Sequence, residues 1–530
     1  MCGRSYCLVI PLALLVGPAG GCRDADPASG VPSTQASRAT TNPAPSESRA
    51  ATAEAFADGP PTNPELRLPN ILFISADTLR ADHLGCYGYD KPTSPFIDSL
   101  AAEGVQFMNA FAQTSWTLPS HLSMMTSMYP HTHTVETDKR TLPGHVKTLP
   151  QLLKKAGYTT RAFVTHVFLG KSYGFSRGFD TLYDLNPRRA YPEIEPLPRS
   201  LRGSATQPQP SSRRAPASSY SKAGPFVDHL IPRLELLKNE PFFLFLHFFD
   251  PHYDYEPPEE FARMFDPTFS GVQLGKYGAL NSHIKGKRGK PATIKPEALR
   301  KTMALYDAEI RYMDTHLKRL FDAMSRHGLL DNTIVVFTSD HGEEFCEHGS
   351  MEGHQWTLYD EVIHVPLIIR FPDGRFRGEQ RRTIAQHIDI APTLMALAGL
   401  DAPREFEGRN LMPLIEKGDD PNRGAEYTYS QLKRFNRKWA VRTAHHKLVF
   451  TEDTKKNFFG KPVRPGYELY DLTVDPGETN NIYDPRDAVS RHLRAVLTAW
   501  MANKKPMEHV SEPSLTDEDI QRLRDLGYLE

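Results

Sequence analysis

The sequence predicts an α/β sandwich: a mostly parallel central sheet covered by helices, followed by a smaller C-terminal α+β subdomain. Three observations predict it. The runs NILFISAD (70–77), PFFLFLHFFDPH (241–252), TIVVFTSDHG (333–342) and HVPLIIRF (364–371) are almost continuously apolar, as strands buried on both faces require. Helical spacing separates them in SPFIDSLAAEGV, TLPQLLKKAGY, ALYDAEIRYMDTHLKRLFDAM and IDIAPTLMALAGL, so strand and helix alternate through residue 400. The chain's 530 residues also exceed what one hydrophobic core usually holds.

Taken in order, residues 1–22 (MCGRSYCLVIPLALLVGPAGGC) place Arg4 before an apolar run from Cys7 to Val16, then small residues up to Cys22. That is the layout of a signal peptide, and it is too short for a spanning helix. Ala19-Gly20-Gly21-Cys22 resembles a bacterial lipobox, so cleavage before Cys22 and lipid attachment there are expected. Plain secretion or a bland apolar tail are the alternatives. Residues 23–68 are rich in Ala, Pro, Ser and Thr with few large apolar side chains, a composition that cannot offset ordering entropy and reads as a disordered tether. The expected location is the cell envelope, facing the periplasm or the exterior, with membrane contact only through the N-terminal lipid. An unlipidated chain is secreted.

The catalytic domain is expected over 69–400, with polar insertions at about 185–224 and 267–297. The C-terminal subdomain covers 401–530: WAVRTAHHKLVF and YELYDLTVDPGETNNI read as strands, and a helix follows near 485–503. No repeat is visible. Lys+Arg 63 against Asp+Glu 64 gives a net charge of −1, which argues against a nucleic-acid partner. Cys86 and Cys346 are too few for a disulfide framework and are expected to be buried thiols.

Asp77 and Asp340-His341 fall where strands end, the place at which ligands bind in open α/β sheets. Two carboxylates and an imidazole are an ordinary ligand set for a divalent cation. TSWTLPSH (114–121) reads as a turn into a helix, with Pro119 in the first turn and Thr117 at or just before its start. A hydroxyl there either faces an anionic ester beside free backbone N–H groups, or Thr117 or Ser115 simply caps the helix.

These residues carry a resemblance over nearly the whole chain from residue 70. The elements are Asp77-Thr78-Leu79-Arg80, Thr117-Leu118-Pro119-Ser120-His121, Phe249-Asp250-Pro251-His252 and Asp340-His341-Gly342-Glu343. Tyr359-Asp360-Glu361 with Val365-Pro366-Leu367, Glu468-Leu469-Tyr470-Asp471 and Asp475-Pro476-Gly477-Glu478 complete them. In this order they resemble a sulfatase of the alkaline-phosphatase superfamily. The resemblance implies an alkaline-phosphatase-like sandwich and a metal held by Asp77, Thr78, Thr117, Asp340 and His341. Calcium, manganese or zinc would suit these positions, and a second metal is left open.

The departures bear on mechanism. The family motif C-x-P-S-R carries a cysteine, sometimes a serine, that is oxidised to formylglycine; Thr117 occupies that position, so formylglycine is not expected. The motif arginine is His121 and the second metal aspartate is Thr78; the lysine of the family's K-W-H element falls at about Val164, so that only its histidine, His166, remains, and a later lysine falls near His354-Gln355. Threonine lacks the second hydroxyl by which formylglycine releases sulfate, so a covalent intermediate has to be cleared by water. That is ordinary chemistry for phosphorus. His121, His252 and His354 are the candidates for anion contact and proton transfer. The expectation is therefore a metal-dependent hydrolase of a sulfuric or phosphoric ester, with phosphate or phosphonate favoured. The substrate would be an anionic small molecule, glycan or lipid head group. A membrane-associated phosphoglycerol- or phosphoethanolamine-type transferase and a silent sulfatase-fold binding protein are the alternatives.

Overall fold

The computed structural model describes residues 68–185, 222–270, 295–348, 353–420, 425–434, 437–452, 465–503 and 511–525. The leader with Cys22, the tether up to residue 67 and most of both expected insertions lie outside these residues. Among the described residues no helix is long and apolar enough to cross a membrane.

Nine strands form the main sheet: β1 (Asn70–Ala76), β2 (Val105–Phe111), β3 (Thr159–Val164), β4 (Thr181–Asp184), β5 (Phe242–Phe248), β6 (Thr333–Ser339), β7 (His364–Arg370), β8 (Glu379–Arg381) and β9 (Ala385–Gln386). Their order is β4-β3-β5-β1-β6-β7-β2-β8, with β9 also on β2. β1 lies at the centre, parallel to β5 and to β6, while β7 runs antiparallel to both β6 and β2. The mostly parallel sheet is thus present, and its antiparallel strand makes it mixed.

The continuous apolar runs arise because both faces are covered. Ile71 and Phe73 of β1 enter one core, and Leu72, Ile74 and Ala76 enter the other. Helices α1 (Pro95–Ala102), α2 (Thr117–Thr126), α3 (Leu149–Lys155), α4 (Ala223–Leu230), α5 (Pro296–Arg326) and α6 (Ile390–Leu397) divide between the faces. Leu118 and Leu122 of α2, Leu149 of α3 and Leu394 of α6 belong to the first core. Ile97 of α1, Phe226 of α4 and Leu317 of α5 belong to the second.

A second, antiparallel sheet contains β10 (Thr428–Lys433), β11 (Arg437–Arg442), β12 (His446–Thr451) and β13 (Gly466–Asp471) in that order. The run expected as one strand over 439–450 is two, because the Thr443 N–H bonds the His446 carbonyl at 2.8 Å and reverses the chain. Helix α7 (Ala488–Ala502) lays Leu493 and Leu497 against Trp439, Val441, Leu448 and Leu469. Cys86 and Cys346 are free, half-buried thiols.

Candidate metal and ester site

The chemistry collects beyond the carboxyl ends of β1, β5 and β6. Asp77 follows β1, and its N–H bonds the Phe248 carbonyl at the end of β5 (2.9 Å). Asp340 follows β6. Its Oδ1 accepts the N–H groups of Thr78 (3.1 Å) and His341 (2.9 Å), so one carboxylate oxygen ties the two strand ends together. Thr78 has φ 57°, uncommon for a β-branched residue and costing about 1–3 kcal/mol. It is held there because the Tyr306 hydroxyl of α5 donates to its carbonyl (2.8 Å) and accepts the Arg80 N–H (2.9 Å). Gly342 is required: a Cβ there would lie 2.0 Å from the Glu361 carbonyl oxygen.

Thr117 is the first residue of α2, and Trp116 before it makes no side-chain cap. Ser115 donates instead to the Thr357 carbonyl (2.8 Å), so neither hydroxyl performs the simple capping that the sequence left open. Thr117 Oγ1 lies 3.4 Å from His341 Nε2. His341 Nδ1 faces the Gly342 carbonyl at 2.9 Å, which can only accept, so Nδ1 carries the proton and Nε2 its lone pair. That lone pair points at Asp340 Oδ2 (3.3 Å) and Asp77 Oδ1 (3.9 Å).

Acceptors facing acceptors in a dry pocket are unfavourable without a cation among them. Asp77, Thr78, Asp340 and His341 are all fully buried. Both Asp77 oxygens, Thr78 Oγ1 and Asp340 Oδ2 have no hydrogen-bond partner. Burial, with the Asp340 and Glu343 carboxylates beside it, pushes the Asp77 carboxyl well above the usual range. These residues fit a divalent cation: ligand atoms of Asp77, Asp340 and His341 lie within 4.8 Å of one another, and the His341 imidazole proton is fixed by a backbone carbonyl, as is common in metal-binding histidines.

The other predicted histidines lie on two sides. His354 approaches His341 (ring centroids 4.6 Å) and bonds Glu343 Oε1 through Nδ1 (3.2 Å); the His252 ring is 5.0 Å beyond it. Burial first, then neighbouring imidazoles, hold His252 and His354 well below the usual histidine range, so both rest neutral. His121, on α2, lies against Asp340 instead, its Nδ1 3.6 Å from Oδ2. Its Nδ1 donates to the Thr117 carbonyl (2.9 Å), and its Nε2 faces Ser75 Oγ at 3.0 Å. Burial lowers His121 to about 3. As it stands His121 supports the backbone of Thr117.

Sequence reading missed His247. It is fully buried on β5, opposite Ser75 of β1, with Nε2 3.4 Å from Asp77 Oδ2. A signal existed: it is the single ionisable residue within FFLFLHF, at the same strand parity as Phe243 and Phe245, which face α2. Arg434, just after β10, was also missed. Its guanidinium stacks on the Trp116 ring (4.6 Å) and is ion-paired with Asp138 (3.3 Å).

The sequence and the fold are similar to those of known proteins. Residues 69–400 match the family profile described as Sulfatase, and residues 346–504 match that described as N-sulphoglucosamine sulphohydrolase, C-terminal. An N-acetylglucosamine-6-O-sulfatase of Bacteroides thetaiotaomicron is 25% identical over 491 residues, covering 80% of this chain and 84% of that protein. The solved structure of BT4656 in complex with its substrate D-glucosamine-2-N,6-O-disulfate superimposes with a TM-score of 0.65 at 22% identity, covering 84% of this chain and 100% of that one. The phosphonate monoester hydrolase of Agrobacterium radiobacter gives 0.62 at 24%, over 82% and 96% of the two chains. These two structural likenesses bear on the fold. With the family profile spanning most of the described sheet, the chain belongs to the sulfatase family and is an ester hydrolase of that family.

Proposed function

We propose that this protein is a metal-dependent hydrolase of phosphate or phosphonate esters that uses Thr117 as its nucleophile. One observation carries the reading. The Thr117 hydroxyl, which the sequence resemblance aligns with the family's formylglycine, opens a buried helix beside Asp77, Asp340 and His341, 3.4 Å from His341 Nε2. Asp77, Thr78, Thr117, Asp340 and His341 would hold the cation. When bound, it lowers the pKa of a coordinated hydroxyl and offsets charge on the ester oxygens.

The chain's own groups account for the remaining steps. The first N–H groups of α2 lack intrahelical acceptors and favour an anion there. The Thr117 oxygen forms a bond to phosphorus as the bond to the leaving oxygen breaks. His354 or His252, neutral at rest, takes the threonine proton and delivers it to the leaving oxygen. Water then attacks phosphorus, the P–Oγ1 bond breaks and the threonine hydroxyl is restored. Burial excludes bulk water and keeps the imidazoles in their basic form.

The test is a panel of aryl phosphate, phosphodiester, phosphonate and sulfate esters with wild type and Thr117→Ala. Phosphorus-ester turnover falling by about three or more orders of magnitude in the variant is expected, with phospho-threonine trapped at residue 117 on quenching. Full activity in Thr117→Ala would refute the nucleophile. Turnover of sulfate esters alone would move the substrate to the class carried by the N-acetylglucosamine-6-O-sulfatase relative.

The sequence also supports anchoring in the cell envelope through a lipid on Cys22. Cys22→Ser is expected to move the protein from the membrane to the soluble fraction, and a wild-type mature N-terminus at any other residue overturns the anchor.

A further inference from the structure

Each of the two site carboxylates lies between two imidazoles. Asp77 presents Oδ1 to His341 Nε2 (3.9 Å) and Oδ2 to His247 Nε2 (3.4 Å). Asp340 Oδ2 lies 3.3 Å from His341 Nε2 and 3.6 Å from His121 Nδ1. Two trios of ligand atoms result, each with its members within 4.8 Å of one another: Asp77, Asp340 and His341, and His121, His247 and Asp340. We propose that the second trio binds a second divalent cation, with Asp340 bridging the two ions. This rests on the reading of the first trio as a metal site.

The tautomer of His247 is the first argument. The Thr165 hydroxyl donates to the His247 carbonyl oxygen at 3.1 Å, which leaves its oxygen to accept from His247 Nδ1–H at 2.8 Å. In this tautomer Nε2 keeps its lone pair. It faces Asp77 Oδ2 across 3.4 Å, and both atoms are buried without a hydrogen-bond partner. Two electron-rich atoms so placed repel each other; a cation on His247 Nε2, held also by His121 and Asp340, reverses the sign. An outer hydrogen-bond acceptor fixing the far ring nitrogen is the usual support of a metal-bound imidazole, and the Thr165 oxygen takes that place here.

His121 can complete the set at the expense of one bond. Ligation through Nδ1 gives up the contact with the Thr117 carbonyl and leaves Nε2–H to donate to Ser75 Oγ, 3.0 Å away. His121, His247 and Asp340 are all fully buried, so the position is as dry as the first.

Charge is the third argument. Among the described residues, no lysine or arginine forms an ion pair with Asp77 or Asp340; their partners are all histidines. One dication balances the two carboxylates and leaves a phosphate dianion uncompensated in a buried pocket. Two dications balance both the carboxylates and the dianion. A pair about 3.5–4 Å apart, bridged by a carboxylate, is a known arrangement for phosphoryl chemistry.

The test uses the full chain, stripped of metal and dialysed against manganese(II) chloride alone. Metal per chain is read by elemental analysis, and coupling between ions by electron paramagnetic resonance. Wild type is expected to hold about two ions with the spectrum of a coupled pair. His247→Asn keeps an amide donor for Thr165 but lacks the atom facing Asp77. It is expected to drop to about one ion per chain, with the spectrum of an isolated ion and an unchanged circular dichroism spectrum. Saturation of wild type at one ion, or two ions retained in His247→Asn, overturns the second site while leaving the first intact. A wild type that binds no manganese overturns the metal reading of both.

Discussion

Replacing Lys447 by methionine tests how the C-terminal sheet is held to the catalytic half. Lys447, on β12, is fully buried. Its Nζ lies 3.0 Å from Asp360 Oδ1, just before β7, and 2.9 Å from Glu478 Oε1. Asp360 also receives Arg442 at 3.1 Å, and its N–H bonds Glu478 Oε2 at 2.6 Å. Methionine keeps the apolar stem and deletes the charge. Removing one partner of a buried pair costs about 3–5 kcal/mol. The low end applies here, because Asp360 retains Arg442 and Glu478 can neutralise itself by protonation. Burial already pushes the Glu478 carboxyl to about 7, with Lys447 the chief influence lowering it.

About 3 kcal/mol is roughly two orders of magnitude in a local opening constant. Hydrogen exchange of peptides from β10–β13 and α7 should therefore accelerate by about that factor, while β1, β5 and β6 change little. The pH dependence has a definite sign. Without Lys447 the native Glu478 pKa rises further above its unfolded value, so the native state binds more protons and loses stability as pH rises. The deficit of the variant is thus smallest near pH 5 and largest above pH 7. Exchange within twofold of wild type, equal acceleration in both sheets, or a deficit that grows toward acid would refute the reasoning.

Two further outcomes follow from single residues. Tyr306→Phe deletes both hydrogen bonds that hold Thr78 in its left-handed conformation. It should cost about 2–3 kcal/mol in thermal unfolding and weaken metal binding about 10–100-fold by competition titration; wild-type affinity in this variant would show that Thr78 needs no such support. His133 is fully buried, donates to the Pro119 carbonyl (3.3 Å) and is lowered to about 3 by burial. Since the unfolded chain protonates it near 6.5 and the native state does not, stability falls as pH drops below that value, by up to about 1.4 kcal/mol per pH unit. His133→Asn should flatten that slope in a circular-dichroism acid titration, and an unchanged slope would show that this histidine titrates alike in both states.

By itself the sequence determined the layered fold and where its strands end. NILFISAD and TIVVFTSDHG are apolar on both faces because helices cover both faces of the sheet, and that requirement is visible residue by residue. It also carried Asp77, Thr117, Asp340 and His341 as candidates, since an aspartate closing such a run stands out and the motif order is specific. Register and side-chain direction belong to the tertiary structure. That Ser75 pairs with His247 across the sheet, and that the imidazole then reaches Asp77, depends on which strands become neighbours. So does the position of His121: nothing local shows that it turns back to the Thr117 carbonyl and faces Ser75 and Asp340. The left-handed Thr78 is set by Tyr306, far along the chain on α5, and the Lys447–Asp360–Glu478 cluster joins β12 to the segments before β7 and after β13. A hydrophobic run records local burial, whereas the charge on a buried group is decided by partners that only the folded chain brings within about 4 Å.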